Sequence, residues 1–219
     1  MRILIYGDSN SWGYLDDGKG IRYDGRWTKH FAERVKPRQN IEILEDCLPG
    51  RTSNCDDTAD GIQLNGEASL LTVLATHSPL NHVILMLGTN DFKNRFNRKT
   101  KDIAASILAL ASIISLSGMG SGSWSEKTPP ELTIICPPKL GVRADDSNWK
   151  DFDDWKYGRE KSLSLANEII SQLQNRKIHF IDSNEFIESS KIDPIHWNKY
   201  SHKLLGVAVA NYFLDHIIK

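Results

Sequence analysis

Cysteine is scarce in this 219-residue sequence, which contains only Cys47, Cys55 and Cys136. Their number is odd and none has the spacing of a CxxC or Cys/His ligand motif, which argues against a disulfide framework and a zinc site. Long apolar runs are also missing, since none approaches the roughly 20 residues that span a bilayer. The apolar run at residues 3–6 leaves no room for the core and cleavage site of a signal peptide. We therefore expect a cytoplasmic protein without membrane insertion.

An excess of charge of either sign is absent as well. The chain has 27 Lys and Arg residues against 28 Asp and Glu residues, a net charge of −1. This balance gives no electrostatic basis for a nucleic-acid partner or a membrane surface, and it suits a small neutral or weakly charged substrate. The length fits one α/β domain over residues 1–219, with a core large enough to fold without disulfides or metals.

Five short apolar runs alternate along the chain with segments whose apolar residues have helical spacing. The runs are almost continuously apolar, which is typical of parallel strands covered by helices on both faces. They lie at residues 2–6, 41–44, 82–87, 132–136 and 178–181. The helical segments lie at residues 27–35, 67–75, 103–116, 155–173 and 199–217. This alternation predicts a three-layer α/β/α doubly wound sheet of about five parallel strands, flavodoxin-like, with ligands bound at the carboxyl ends of the strands.

Two segments interrupt the alternation. Residues 118–130 are rich in Gly, Ser and Pro, which predicts a flexible connection without a catalytic role. Residues 139–154 are long for a loop in a compact domain and contain Trp149 and Phe152. This second loop is either a lid or pocket wall, or a solvated loop anchored by its aromatic side chains, and the sequence favours neither.

A serine follows the first predicted strand. Gly7 and Asp8 precede Ser9, so its hydroxyl lies at the carboxyl edge of the sheet. A serine hydroxyl needs a base to become a good nucleophile, and the base needs a group that orients it. Of the seven histidines, His196 alone has a carboxylate three residues before it, Asp193, just ahead of the last helix. Asp193 can therefore accept a hydrogen bond from Nδ1 of His196 while Nε2 faces Ser9.

An ester-cleaving site also needs donors for the oxyanion, each worth about 10²- to 10³-fold in rate. Gly50 follows the second strand and Asn90 follows the third, so both lie at the same sheet edge as Ser9, whose own N–H is a third donor. Each feature alone has an ordinary alternative: a Gly-Asp-Ser turn, a turn glycine, or an asparagine that caps a helix. Catalysis is predicted by the occurrence of all of these features together, in this order along the chain, with Asp193 and His196 before the last helix.

The same set resembles the SGNH (GDSL-like) hydrolase family, whose name lists the Ser, Gly, Asn and His that fall here on Ser9, Gly50, Asn90 and His196. The resemblance covers essentially the whole chain. Flanking segments resemble the bacterial arylesterase and acyltransferase (perhydrolase-like) branch, and they lie at residues 7–13, 25–28, 51–54, 64–66 and 86–91. The resemblance implies a serine esterase for short-chain, acetyl-type esters, with acyl transfer to alcohols or peroxide in some members. It also implies a homo-oligomer, with an octamer as the precedent.

The pocket walls should come from residues near these blocks, although packing is an equally good explanation for each of them. The predicted substrate contacts are Asn10, Trp12, Lys93, Trp149, Phe152 and Ile195. Asp8 and Asp91 are expected to bind backbone amides. We predict no cofactor, no metal and no role for Cys136. Three tryptophans in or beside loops, Trp124, Trp149 and Trp155, are candidates for subunit contacts.

Several other functions compete with a serine esterase. A two-metal phosphoesterase would use Asp8, Asn90, Asp91 and His196, but the chain has no His-x-His or Asp-x-His. An α/β-hydrolase would need a Gly-x-Ser-x-Gly elbow, which is absent. A non-catalytic binding module would not need the complete triad of Ser9, His196 and Asp193. Among esterase substrates, an aryl ester and a sugar O-acetyl group are favoured over a lysophospholipid.

Overall fold

The computed structural model describes residues 1–122, 128–173 and 177–218. Five parallel strands form one sheet in the order β2-β1-β3-β4-β5. The strands are β1 (Arg2–Gly7), β2 (Glu42–Cys47), β3 (His82–Met86), β4 (Glu131–Cys136) and β5 (His179–Asp182). The predicted doubly wound α/β fold is confirmed.

Seven α-helices lie in the described part of the chain. They are α1 (Ser9–Trp12), α2 (Trp27–Val35), α3 (Gly66–His77), α4 (Thr100–Leu116), α5 (Phe152–Trp155), α6 (Gly158–Gln172) and α7 (Lys199–His216). The helix predicted at residues 155–173 begins instead at Gly158, because Tyr157 takes a left-handed conformation with φ 66°. That residue separates α6 from the short helix α5.

The strands supply two hydrophobic cores, one on each face of the sheet. Successive strand residues point to opposite faces, so Leu4 and Tyr6 of β1 pack with α3, α4 and α6. Ile3 and Ile5 pack on the other face with α2 and α7. Each such buried aliphatic side chain stabilises the fold by roughly 1.5–3 kcal/mol. The almost continuous apolar runs are therefore explained by burial on both faces.

The sheet order places the ends of β1 and β3 beside each other, with β2 on the far side of β1. The chain leaves β1 towards α2 on one face of the sheet and leaves β3 towards α4 on the other face, which opens a crevice at the carboxyl ends of these neighbouring strands. Ser9, Gly50 and Asn90 follow these three strands directly. The crevice therefore brings together residues from three separate parts of the sequence.

Two of the three tryptophans considered for subunit contacts are buried rather than exposed at the surface. Trp149 and Trp155 are buried at 6% and 5% exposure and belong to the core on the α4 and α6 face. Trp124 lies outside the described residues. The Gly-rich connection contacts the chain just ahead of β3 at its start, where Leu80 N donates to Met119 O at 2.9 Å. Its residues 123–127 lie outside the described ranges. Among the helices of the described residues, none is long and apolar enough to cross a membrane.

Candidate active site

Ser9 is the first residue of α1, a helix of a single turn. Asp8 caps this helix by accepting the N–H of Asn10 at 3.0 Å. The turn is tight, because a Cβ at Gly7 would lie 2.5 Å from the Ser11 hydroxyl. The first N–H groups of a helix have no intrahelical acceptor, so the N–H of Ser9 can donate towards a ligand.

His196 and Asp193 approach Ser9 from the loop before α7. Nε2 of His196 lies 3.1 Å from the Ser9 hydroxyl oxygen, and Nδ1 lies 2.7 Å from Oδ2 of Asp193. The other carboxylate oxygen of Asp193 accepts the N–H groups of Ile195 at 2.8 Å and His196 at 3.1 Å. Burial acts to raise the pKa of Asp193, but its hydrogen bonds and the charge of His196 outweigh burial and lower it. Asp193 is therefore held as a carboxylate against the imidazole.

Gly50 and Asn90 face Ser9 across the crevice. Gly50 has φ 86°, a conformation that favours glycine, and a Cβ there would lie 3.1 Å from Cδ1 of Leu64. The amide nitrogen of Asn90 donates to the carbonyl of Arg51 at 3.0 Å. A side-chain amide has two N–H groups, so this bond fixes the Asn90 side chain and leaves its second N–H for a ligand.

Ser9 lies in a cavity of about 300 Å³. The walls are formed by Ser9, Tyr14, Pro49, Gly50, Asn90, Lys93, Asp151, Asp154, Trp155, Ile195 and His196. Lys93 and Ile195 line it as expected from the sequence. Tyr14, Asp151, Asp154 and Trp155 were missed. The loop at residues 139–154 thus contributes to the pocket wall, through Asp151 and the last residues of α5.

Four residues expected at the pocket lie outside the set that lines it. Asn10 is 1% exposed and its amide donates to the carbonyl of Ile195 at 3.3 Å. Trp12 lies under the guanidinium of Arg22, 5.6 Å from the ring centre. Trp149 and Phe152 pack against the hydrophobic core instead. The aromatic side chains of this loop anchor it, and its acidic side chains reach the cavity.

Alternating charges connect the loops at one side of the cavity. Lys93 Nζ lies 3.0 Å from Asp60 and 3.8 Å from Asp57, and 5.9 Å from the ring centre of Trp155. Arg95 lies 2.6 Å from Asp57 and 3.4 Å from Asp154, and it also pairs with Asp60. Because Lys93 is only 6% exposed, its ammonium is largely neutralised by these carboxylates. This network holds three loops around the pocket.

The competing two-metal site is not supported by the geometry of its proposed ligands. Asp91 accepts the N–H of Ser53 at 2.9 Å, and it also binds the Ser53 hydroxyl and Arg98, at 3.1 Å. Asp8 accepts the N–H of Asn10. Both carboxylates therefore bind backbone amides, as expected. Within the described ranges, no three His, Cys, Asp or Glu residues are grouped as metal ligands.

Asp8 gives the fold a pH dependence. Burial raises the pKa of its carboxyl from 3.8 to about 6, while the Asn10 N–H, Thr89 and His196 act to lower it. Between these values the folded protein holds a proton that the unfolded chain has lost, so stability falls as the pH rises through that window. Asp8→Asn keeps an acceptor for Asn10 without the charge. We expect it to raise the free energy of unfolding at pH 7 by up to about 3 kcal/mol.

Urea unfolding of both proteins at pH 4, 6 and 7.5 measures this effect. The Asp8→Asn protein should show a smaller decline in stability between pH 4 and 6, and the part that remains comes from Asp91, whose pKa is also raised by burial. Asp146, an exposed carboxylate that accepts the N–H of Asn148 at 2.9 Å, provides the control, and Asp146→Asn should keep the decline. An equal decline in Asp8→Asn and the wild type would show that Asp8 titrates in its ordinary range.

A parallel α/β sheet with a serine, a histidine and a carboxylate in hydrogen-bonded order at its edge is an architecture of serine hydrolases. The chain belongs to the GDSL-like lipase/acylhydrolase family, whose model matches residues 3–209. It is similar to the aryl esterase of M. smegmatis, with 33% identity, 98% of each chain covered and a TM-score of 0.86. It is also similar to a carbohydrate acetylesterase from Sinorhizobium meliloti, with 31% identity, 98% of each chain covered and a TM-score of 0.87.

None of the curated proteins is similar to the chain at a significant level. The family match and the similar structures confirm the resemblance to SGNH hydrolases. The protein is a carboxylic ester hydrolase.

Proposed function

We propose that the protein hydrolyses short-chain, acetyl-type esters through an acyl-enzyme on Ser9. The proposal depends on the chain of hydrogen bonds from Asp193 to His196 at 2.7 Å and from His196 to Ser9 at 3.1 Å. Ser9 and His196 lie at the wall of one cavity, with Asp193 behind them. Gly50 and Asn90 line the same cavity. A nucleophile, a base, an orienting carboxylate and oxyanion donors thus meet at one place.

The reaction begins when Nε2 of His196 takes the hydroxyl proton of Ser9 and the serine oxygen bonds to the ester carbonyl carbon. The negative charge that develops on the carbonyl oxygen is bound by the N–H groups of Ser9 and Gly50 and by the amide of Asn90. The imidazolium then gives its proton to the leaving alcohol oxygen, and the acyl-enzyme remains. Water attacks this intermediate with His196 again as the base, which releases the acid and restores Ser9.

The walls of the cavity favour a small and uncharged acyl group. Trp155 and Ile195 are bulky, and the cavity volume of about 300 Å³ is at the lower end of ligand pockets. Asp154 is paired with Arg95 at 3.4 Å, whereas Asp151, whose pair with Lys150 at 3.8 Å is exposed to solvent, brings most of the negative charge to the wall. A phosphate-bearing lysophospholipid would meet repulsion from Asp151. Short esters of neutral alcohols or phenols are the substrates that fit.

Hydrolysis of p-nitrophenyl esters from acetate to palmitate tests this proposal. We expect kcat/KM to be highest for acetate and to fall by about 100-fold or more towards palmitate, since each methylene beyond the pocket meets a wall. A chelator should change nothing. Equal rates for acetate and palmitate would instead indicate a lipase or lysophospholipase, and loss of activity with chelator would revive the metal hypothesis.

A sugar O-acetyl group is the second candidate substrate. Carboxylates accept hydrogen bonds from vicinal hydroxyl groups, and Asp151 and Asp154 lie in the cavity wall beside Trp155. The similar structure from Sinorhizobium meliloti is that of a carbohydrate acetylesterase. Acetate release from an acetylated monosaccharide, compared with p-nitrophenyl acetate, separates the two. Transfer of the acyl group to an alcohol or to peroxide would use the same acyl-enzyme, and the same assay with added ethanol measures it.

A further inference from the structure

The phenol ring of Tyr14 lies over the imidazole of His196. The ring centres are 4.3 Å apart and the planes are inclined by 31°. Two hydrogen bonds hold the edges of the imidazole, from Nδ1 to Asp193 and from Nε2 to Ser9. Because both bonds lie near one line through the ring, they fix that line but leave the ring free to tilt about it. A ring stacked on one face removes this freedom.

The backbone around Tyr14 is fixed to both sides of the site. The N–H of Tyr14 donates to the carbonyl of Ser9 at 2.9 Å, so Tyr14 is bound to the first residue of α1. Leu15 forms a parallel bridge with Trp197, the residue that follows His196, and the N–H of Asp16 donates to the carbonyl of Trp197 at 3.1 Å. The Tyr14 ring is therefore placed by a segment that is paired with the loop of the base.

We propose that Tyr14 is a positioning residue for His196, in addition to forming part of the cavity wall. Its ring holds the imidazole in the plane in which Nε2 points at Ser9, and its π face stabilises the imidazolium that forms during each proton transfer. This inference rests on the proposed function of Ser9 and His196. Within the described part of the chain, the hydrogen bond of the Tyr14 hydroxyl is to the exposed carbonyl of Gly18, at 3.4 Å and away from His196, so the ring carries the effect.

Phenylalanine and leucine at position 14 separate the ring from the hydroxyl. With p-nitrophenyl acetate, we expect Tyr14→Leu to lower kcat about tenfold with KM unchanged, because ring pairs of this kind contribute a corresponding free energy. Tyr14→Phe should stay within about twofold of the wild type. Tyr200, an exposed residue of α7 at 68% exposure, is the control, and Tyr200→Leu should leave both constants unchanged.

Inactivation by methanesulfonyl fluoride provides a readout that is independent of the pocket walls. The reagent is too small to need the Tyr14 side of the cavity. Its reaction forms a bond from the Ser9 oxygen to sulfur, releases fluoride and passes the serine proton to His196, so its rate reports activation of the nucleophile. The inactivation rate of Tyr14→Leu should fall by the same factor as kcat, while that of Tyr14→Phe should not fall.

Three results would overturn the inference. A raised KM with unchanged kcat and unchanged inactivation would mean that Tyr14 is a wall only. Equal losses in Tyr14→Phe and Tyr14→Leu would assign the effect to the hydroxyl, and full activity of Tyr14→Leu would remove the role altogether. If Tyr14→Leu does not fold, as judged by circular dichroism, Tyr14→Met takes its place. Absence of esterase activity in the wild type would instead overturn the proposed function.

Discussion

Alanine in place of Ser9 is expected to lower kcat for p-nitrophenyl acetate by about 10⁴- to 10⁶-fold. The substitution removes the attacking oxygen, together with its 3.1 Å hydrogen bond to Nε2 of His196. Gly50 and Asn90 remain in the cavity wall, so a small residual rate from binding and oxyanion stabilisation should persist. Steady-state kinetics with purified wild type and variant measure the loss.

Ser11 provides a matched control for Ser9. It lies in the same helix, but its hydroxyl contacts Nε1 of Trp27 at 3.2 Å and the sulfur of Met86 at 3.7 Å rather than His196. Ser11→Ala should keep kcat within about threefold of the wild type, although loss of the Trp27 bond costs about 1 kcal/mol of stability. Activity of Ser9→Ala at the wild-type level would show that Ser9 is not the nucleophile.

Asparagine in place of Asp193 should lower kcat by about 10³- to 10⁴-fold. An asparagine oxygen can still accept the N–H groups of Ile195 and His196, so the loop should keep its shape. The amide NH₂ would then face Nδ1 of His196, which lies 2.7 Å from the native carboxylate. Nδ1 must become the acceptor, the proton moves to Nε2, and the base can no longer take the proton of Ser9.

Asp182 is the control for Asp193, because its substitution removes a carboxylate from a similar turn without affecting His196. It accepts the N–H of Asn184 at 3.0 Å in the same kind of turn, outside the cavity lining. Asp182→Asn should leave kcat unchanged. If Asp193→Asn also keeps full kcat, another group must orient His196. Circular dichroism of each variant checks that differences in rate are not differences in folding.

The fold was predictable because burial on both faces leaves a clear pattern in the strands. Each apolar run became a strand whose ends differ from the prediction by at most three residues, and the helix at Trp27–Val35 has its predicted bounds. The helices Ser9–Trp12 and Phe152–Trp155 were missed. A four-residue helix is barely one turn, which is too short for a period of 3.6 residues to be recognised.

The residues brought together at the site were predictable for a different reason. Ser9, Gly50 and Asn90 each follow a strand, and the carboxyl ends of parallel strands meet at one edge. The positions of Tyr14 and Asp154 depend instead on how loops cross the crevice. The bridge between Leu15 and Trp197 joins distant parts of the chain, so the sequence around either residue does not predict it. The cytoplasmic location, the single domain and the homo-oligomer stay predictions from the sequence.

The large separation of Ser9 from His196 along the chain also affects when their contact forms during folding. The two residues are 187 positions apart. The loop that bears His196 follows β5, an edge strand and the last of the five to be synthesised. Contacts of such long range form late in folding, after the entropy of closing the chain has been overcome. A partly synthesised or partly folded chain would therefore hold Ser9 without its base. Under the proposed mechanism, ester cleavage therefore depends on a contact between residues 187 positions apart.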